Sequence, residues 1–189
     1  MKTQYSLHII GNTLGLSFIC IILLVALYEQ IFGSALPCPL CFLQRVAYVS
    51  AGILLCLNLT RGPKTLNYGL FILASAFGIL AAGRQVLLHI MPGDKGFGDS
   101  ILGLSAYTWN VVVFFIFILF TALALFFQKG FDYKEHKFTM LSKVVITVFV
   151  LLIFVNFVSA FLECGFGVCP DNPVEYKYLP SNHPHSHHK

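Results

Sequence analysis

The chain has 189 residues, of which 57% are hydrophobic and only 11% are charged. Its mean hydropathy is well above that of a water-soluble domain. This balance excludes an ordinary soluble globular protein and indicates a membrane protein with the lipid bilayer as its main surroundings. We expect no nucleic-acid partner.

Long uncharged stretches predict the membrane spans. Each of the stretches 3–28, 65–83, 100–128 and 144–162 contains no charged residue. A helix of about 20 residues crosses a hydrocarbon core of roughly 30 Å, so each stretch is long enough. A further span follows Cys41, where Arg45 is the only charge before residue 61. The predicted spans are near 8–28, 41–60, 66–88, 104–127 and 142–162, the first retained as an anchor and not cleaved as a signal peptide.

The distribution of lysine and arginine predicts the orientation. With a cytoplasmic N-terminus, seven of these residues fall on the cytoplasmic side and three on the outer side. Such an excess favours the N-terminus inside and the C-terminus outside. Arg45 and Arg84 fall at outer span ends, where a long side chain can reach the interface. Because no loop is long enough for a soluble domain, chemistry is expected on short outer loops or inside the bundle.

The six cysteines separate into two groups by position. Cys20 and Cys56 lie in the middle of spans, where a buried thiol behaves as a small hydrophobe, so we assign both to packing. The other four fall on the predicted outer, oxidising side. They are Cys38, Cys41, Cys164 and Cys169.

The C-x-x-C pair in ALPCPLCFLQRV allows three interpretations. A structural disulfide would close a very small ring and gain little chain entropy. A zinc site would need two more ligands, and no histidine of suitable spacing adjoins the second cysteine pair. A redox-active dithiol is favoured by position: Pro37 and Pro39 pin the helix start near Cys41, and Arg45 lies on the same helical face. A helix N-terminus and a cation both favour a thiolate.

Arg45 is costly so near to hydrocarbon unless a polar or acidic group faces it. The acid closest in sequence is Glu29. Two interpretations stay open from the residues themselves. Arg45 either reaches the lipid headgroups or donates to an oxygen-bearing cofactor at the bilayer edge.

Three stretches of the chain resemble the DsbB family, disulfide bond formation protein B. PCPLCFLQRVA is similar to the quinone-linked disulfide motif of that family. AGRQVLLHIMP (82–92) is similar to the end of its third span, and ILGLSAYTWNVVVFF (101–115) to the start of its fourth. The resemblance implies an all-α integral membrane protein with a DsbB-like four-helix transmembrane bundle, here with a predicted fifth helix. The expected organisation is a bundle over 1–128, a cytoplasmic loop over 129–141, a fifth transmembrane helix over 142–162 and a periplasmic tail over 163–189.

The resemblance also implies residue roles. Cys38 and Cys41 would pass electrons to a membrane quinone, ubiquinone or menaquinone, with Cys41 nearest the quinone ring. Arg45 would help to hold the quinone, and His89 matches more loosely a histidine near the same site. The implied location is the bacterial inner membrane, and the implied partner is a periplasmic thioredoxin-fold dithiol oxidase of the DsbA type.

The chain departs from the family in its second cysteine pair. Family members carry that pair in the outer loop between spans three and four, whereas the loop MPGDKGFGDSILG contains no cysteine. The predicted fifth span instead delivers Cys164 and Cys169 to the outer side, and we expect them to act as the shuttle pair. The alternative is a local disulfide that ties down the tail.

Two other classes of function stay open. A vitamin K epoxide reductase-like enzyme also joins C-x-x-C pairs to a quinone, although its reactive pair usually lies late in the bundle. A non-enzymatic membrane metal carrier or assembly factor would use thiols and the histidine-rich end SNHPHSHHK, whose composition otherwise predicts a disordered, solvated tail. We assign no residue as a metal ligand.

Overall fold

The computed structural model describes residues 2–32, 36–91, 102–126 and 139–165, together with 167, 169 and 176–178, and the side chains from residue 7 onward. Its helices are α1 (Lys2–Phe32), α2 (Pro39–Arg61), α3 (Thr65–Leu88), α4 (Ala106–Phe126) and α5 (Met140–Cys164). All five are long and apolar enough to cross a membrane, which confirms the predicted all-α, five-span architecture. Most of the predicted loop 129–141 and the histidine-rich end of the tail lie outside the described residues.

Four of the helices, α1, α2, α3 and α5, extend beyond the predicted spans, whereas α4 lies within the predicted 104–127. α1 has 31 residues, which corresponds to roughly 46 Å at 1.5 Å per residue. A hydrocarbon core is only roughly 30 Å thick, so α1 continues past it. The prediction ended each span where charge or polarity resumes, but backbone hydrogen bonding does not stop at the edge of the hydrocarbon.

The start of α2 is set by local chemistry. Cys38 is the N-cap residue, with extended backbone angles (φ −72°, ψ 163°), and its sulfur accepts a hydrogen bond from the Cys41 backbone N–H. Pro39 occupies the first helical position, where its missing N–H has no helical partner to lose. The predicted helix start close to Cys41 is therefore confirmed, with Cys41 in the first turn.

α2 is the central helix of the bundle. It packs against α1, α3 and α5, while α4 packs against α3. Two glycines allow close approach, because a Cβ on Gly52 would clash with the ring of Phe149 and a Cβ on Gly78 with the ring of Phe114. Small residues at such crossings favour helix association in membranes. The fully buried core includes Leu16, Ile19, Leu23, Tyr48, Ala51, Phe114 and Phe149.

Consecutive helices run up and down, so five helix ends meet at one end of the bundle. These are the last turns of α1, α3 and α5 and the first turns of α2 and α4. We call this the thiol end, because it holds Cys38 and Cys41, and the opposite one the far end. The remaining outward surface carries exposed apolar side chains suited to lipid, among them Phe18, Leu73, Phe120 and Phe154.

Candidate active site

Cys38 and Cys41 face each other at the start of α2. Their Sγ atoms lie 2.7 Å apart, and both are free cysteines. Cys38 is only 4% exposed, and its sulfur also accepts the Cys41 backbone N–H at 3.3 Å. The hydrogen bond with the Cys41 thiol, together with burial, raises the pKa of Cys38. The pair is thus a dithiol set for disulfide closure, in which Cys38 keeps its proton.

Gln85, near the end of α3, contacts both sulfurs. Its side chain is 1% exposed. Its Nε2 lies 3.2 Å from Cys38 Sγ and 3.6 Å from Cys41 Sγ as a donor. Gln44 Nε2 donates to Gln85 Oε1 at 2.7 Å, which turns the Gln85 N–H group toward the sulfurs. An N–H donor aimed at sulfur favours its negatively charged form.

Hydrogen bonds continue from Gln44 across to α4. Asn110 Nδ2 donates to Gln44 Oε1, and the Tyr48 hydroxyl donates to Asn110 Oδ1 at 2.9 Å. We call these four residues, Tyr48, Asn110, Gln44 and Gln85, the amide chain. Every donor along it points toward the thiols, and hydrogen bonds in such a series polarise one another.

Arg45 points into the bundle. Its side chain is 9% exposed. Nη1 donates to Gln30 Oε1 at 2.6 Å and to Asn156 Oδ1 at 3.4 Å, while Nη2 donates to the Ala26 carbonyl at 2.8 Å. The interpretation that Arg45 reaches the lipid headgroups is therefore wrong, because α1 and α5 supply polar acceptors inside the protein.

The acid that faces Arg45 is Glu163 at the end of α5. Glu29, the nearest acid in sequence, is exposed. Glu163 is 2% exposed, and its Oε2 accepts from Gln30 Nε2 at 2.9 Å, so one amide bridges the cation and the carboxyl. Among the described residues, Glu163 Oε1 has no hydrogen-bond partner. We call Arg45, Gln30, Asn156 and Glu163 the arginine cluster.

The second cysteine pair begins at the residue after Glu163. Cys164 is the last residue of α5 and forms a disulfide with Cys169. Because Glu163 precedes Cys164, the arginine cluster brings this disulfide to the same end of the bundle as the Cys38 and Cys41 dithiol. The predicted arrival of both pairs at one end is thus seen, while the choice between shuttle and structural staple stays a prediction.

The tail returns onto the helix ends after the disulfide. The Lys177 backbone N–H donates to the Glu163 carbonyl at 3.4 Å. The Tyr176 hydroxyl donates to the Gln30 carbonyl at 3.3 Å, and burial raises the pKa of Tyr176. The returning segment therefore covers the arginine cluster with a neutral phenol.

The other predicted residues lie elsewhere. His89 is the C-cap of α3, and its ring centroid is 5.7 Å from that of Tyr107. Its implied place near a quinone stays a prediction. Cys20 is buried in the core and Cys56 packs against it, in line with the packing role assigned to both.

Sequence reasoning missed all members of the amide chain and, apart from Arg45, of the arginine cluster, namely Gln30, Gln44, Tyr48, Gln85, Asn110, Asn156 and Glu163. A signal was present, because polar and ionisable side chains inside membrane spans are rare and mark functional positions. Gln85 even lies within the AGRQVLLHIMP stretch. What the sequence could not show is which of these side chains meet across different helices.

The fold and site define a multi-pass helical membrane protein that holds a dithiol and a disulfide at one end of its bundle. The family described as disulfide bond formation protein DsbB matches residues 11–98. A disulfide bond formation protein B of Marinobacter nauticus is 32% identical over 134 residues, covering 52% of this chain and 80% of that protein. The chain belongs to the DsbB family.

Other relatives match over shorter stretches. A disulfide bond formation protein B of Nitrosomonas eutropha is 44% identical over 71 residues, 35% of this chain and 44% of that protein. One of Chromohalobacter salexigens is 34% identical over 90 residues, 45% of this chain and 52% of that protein. The chain thus spans only about half, or less, of the length of these two relatives. No solved structure matches it.

Proposed function

We propose that this protein is a membrane thiol oxidase that reoxidises a periplasmic DsbA-like dithiol oxidase and passes the electrons to a membrane quinone. One observation carries the proposal: a free dithiol and a disulfide lie at the same end of a membrane-spanning bundle, joined by a buried polar cluster. It would act in the bacterial inner membrane, with the N-terminus cytoplasmic and the thiol end periplasmic.

The chain's own residues suit a quinone. Arg45 has five N–H donors, and Nε–H and one Nη2–H have no partner among the described residues. Its Cζ lies 5.4 Å from the Phe42 ring centroid, which adds an aromatic wall beside the donors. Cys41 is half-buried one turn earlier. Cys41, Phe42 and Arg45 would therefore hold a quinone, which when bound accepts two electrons and two protons.

Electrons would enter at the other pair. A partner thiolate attacks the Cys164–Cys169 disulfide, a mixed disulfide forms, and the partner's second thiol resolves it. The partner leaves oxidised, and the Cys164 and Cys169 thiols then reduce the Cys38–Cys41 disulfide by the same two-step exchange. Each exchange conserves one disulfide, so two electrons reach Cys38 and Cys41 per partner.

A strongly oxidising acceptor is needed to drive these steps. DsbA has a potential near about −120 mV, and about 30 mV corresponds to 1.4 kcal/mol for a two-electron couple, so a protein disulfide alone gains little over it. A lipid-soluble acceptor also explains why the dithiol lies at the edge of a membrane span while the donor is in water.

The core of the proposal is tested with purified protein, added quinone and a reduced DsbA-like protein. We expect quinone-dependent oxidation of the partner, followed by its free-thiol content, and its loss in Cys41→Ser. The matched control is Cys56→Ser on the same helix, which should keep wild-type turnover. Continued oxidation by Cys41→Ser would overturn the assignment.

The shuttle role of the second pair has its own test. Cys164→Ser together with Cys169→Ser should stop oxidation of the DsbA-like partner. Small dithiols such as dithiothreitol, which can reach Cys38 and Cys41 directly, should still reduce quinone through the variant. Unchanged turnover with the protein partner would show that the tail disulfide is a structural staple.

A further inference from the structure

Arg45 serves two acidic groups at once. Cys41 lies one helical turn before it on α2, and Glu163 from α5 is joined to it through Gln30, which accepts from Arg45 Nη1 at 2.6 Å and donates to Glu163 Oε2 at 2.9 Å. The fifth helix has thus placed a second potential anion beside the cation that faces the reactive cysteine.

The charge balance of this cluster is restrictive. With both acids neutral, the buried guanidinium has no counter-charge, and with both ionised, two buried anions share one cation. Each extreme is costly in a low-dielectric interior, because like charges at one site disfavour each other's ionisation. The charge of Arg45 is balanced when only one of the two acids, Cys41 or Glu163, is ionised. Among the described residues, Tyr176 also faces the cluster; burial raises its pKa, so it stays a neutral phenol.

Glu163 has room for a proton. Oε2 is held by Gln30, at 2.9 Å, whereas Oε1 is buried and has no partner among the described residues. An ionised carboxylate usually accepts several hydrogen bonds when it is buried, and an unpaired oxygen is unfavourable. The returning tail, through the Lys177 and Tyr176 contacts, keeps this carboxyl at the covered end of α5.

We propose that Glu163 is the proton acceptor for Cys41, so that the two groups exchange one proton against the fixed charge of Arg45. When the Cys38–Cys41 disulfide is intact, Glu163 is ionised and balances Arg45. When the disulfide is reduced, Cys38 becomes a thiol, Cys41 becomes the thiolate and Glu163 takes a proton. This inference deepens the proposed function and rests on it for its role in turnover.

The electrons and protons of this step balance. Reduction of the disulfide adds two electrons and takes up two protons, one on Cys38 and one on Glu163. Reoxidation gives two electrons to the quinone of the proposed function and releases the same two protons, which that acceptor's reduction requires. Without the carboxyl, reduction of the disulfide would take up only one proton, on Cys38. The Cys41 thiolate formed in that step would be the counter-ion of Arg45.

Proton uptake gives a test that needs neither quinone nor partner. Quinone-free protein is equilibrated with dithiol buffers from pH 6.5 to 7.5, and the reduced fraction of Cys38 and Cys41 is measured by alkylation and peptide mass spectrometry. Each proton taken up makes the equilibrium constant change about tenfold per pH unit. After correction for the buffer, we expect about hundredfold per pH unit for the wild type and about tenfold for Glu163→Gln.

Matched variants make the test specific. Glu29→Gln removes an exposed carboxyl from the same end of the bundle and should keep the wild-type dependence. Glu163→Asp, which keeps the carboxyl, should keep it too. The proposal would be overturned by an equilibrium constant that changes about hundredfold per pH unit in Glu163→Gln, or only about tenfold per pH unit in the wild type.

A second measurement uses the wild-type protein and does not depend on whether a variant folds. Infrared difference spectra between the oxidised and reduced protein should show a protonated-carboxyl C=O stretch that appears on reduction. The band should be missing in Cys41→Ser, which forms no thiolate. Its absence in the wild type would refute the role of Glu163, even if quinone-dependent oxidation of the partner is observed; its presence in a protein that reduces no quinone would refute only the proposed function.

Discussion

The far end and the thiol end of the bundle use the same kinds of polar side chains for different purposes. At the far end, α1, α2 and α3 are joined by what we call the asparagine network: Asn12, Asn58, Asn67 and Tyr68. Asn58 Nδ2 donates to Asn12 Oδ1 at 3.2 Å, Asn67 Nδ2 donates to Asn58 Oδ1 at 2.7 Å, and Asn12 Nδ2 donates to the Tyr68 hydroxyl at 2.7 Å.

The difference lies in where the hydrogen bonds end. The asparagine network ends on other amides, on the Tyr68 hydroxyl, which also contacts His8 Nδ1 at 3.4 Å, and on backbone groups, such as the Lys64 N–H that donates to Asn58 Oδ1 at 3.2 Å. The amide chain ends on two sulfurs, and the arginine cluster holds a buried cation and a carboxyl oxygen that has no partner in the part of the chain that the structure describes. Neutral, satisfied networks tie helices together, whereas the thiol end maintains groups whose charge changes when electrons move.

Removal of the cation should produce the largest effect. Arg45→Met leaves the acceptors on α1 and α5 unpaired and Glu163 without a counter-charge, so the free energy of unfolding should fall by about 3 to 5 kcal/mol. Partner oxidation should be lost as well. The measurement is unfolding in detergent mixtures by circular dichroism. Arg84→Met, an exposed arginine near the same end, is the control, and equal stability of the two variants would contradict the importance of the cluster.

Removal of the donor to the sulfurs should give the next largest effect. Gln85→Leu takes away the N–H group that contacts Cys38 and Cys41, and hydrogen bonds to charged groups contribute about 1.5 to 3 kcal/mol. Alkylation of reduced Cys41 at pH 7 should therefore slow by about tenfold or more, as measured by peptide mass spectrometry. Asn67→Leu, in the asparagine network, should leave this rate unchanged. An unaltered rate in Gln85→Leu would show that the amide chain only holds helices together.

Disruption of the far end should affect stability alone. Asn58→Leu removes the residue that bridges Asn12 and Asn67, and hydrogen bonds between membrane helices average about 0.6 kcal/mol with a maximum of about 1.7. A loss of about 1 to 2 kcal/mol is therefore expected in the free energy of unfolding, with quinone-dependent oxidation near the wild-type rate. A folded variant that has lost most of its turnover would break the distinction between the two ends.

The smallest effect concerns Cys38. Its pKa is raised chiefly by the hydrogen bond with the Cys41 thiol, so at pH 8 less of it is thiolate than of an ordinary thiol, and the thiolate fraction grows as the pH rises. Cys41→Ala removes that hydrogen bond, and Cys38 alkylation at pH 8 should become about three- to tenfold faster. A slower or unchanged rate would mean that burial dominates.

The positions of the helices were more predictable from the sequence than the contacts of the site. The five spans follow from uncharged length, and the start of α2 follows from Pro37 and Pro39, whereas the capping by the Cys38 sulfur is seen only in the structure. The site residues predicted on or beside α2 were Cys38, Cys41 and Arg45, and those predicted elsewhere were His89, Cys164 and Cys169. None of the side chains that contact the sulfurs or Arg45 from other helices was predicted. Glu29 was the nearest acid in the chain, yet Glu163, more than a hundred residues after Arg45, is the acid in the cluster, because sequence distance says nothing about which helix faces meet.

What the sequence by itself determined is the set of membrane helices and the placement of Cys38, Cys41 and Arg45 about one helical turn apart in succession, since hydropathy, proline geometry and helical spacing act over short ranges. Only the tertiary structure decided the partners of these residues. The packing of α5 on α1, and on Gly52 of α2 through Phe149, brings Glu163 to Gln30 and through it to Arg45, and the contact of α3 with α2 brings Gln85 to the sulfurs. Such contacts depend on which surfaces fit together, a property that no single helix carries.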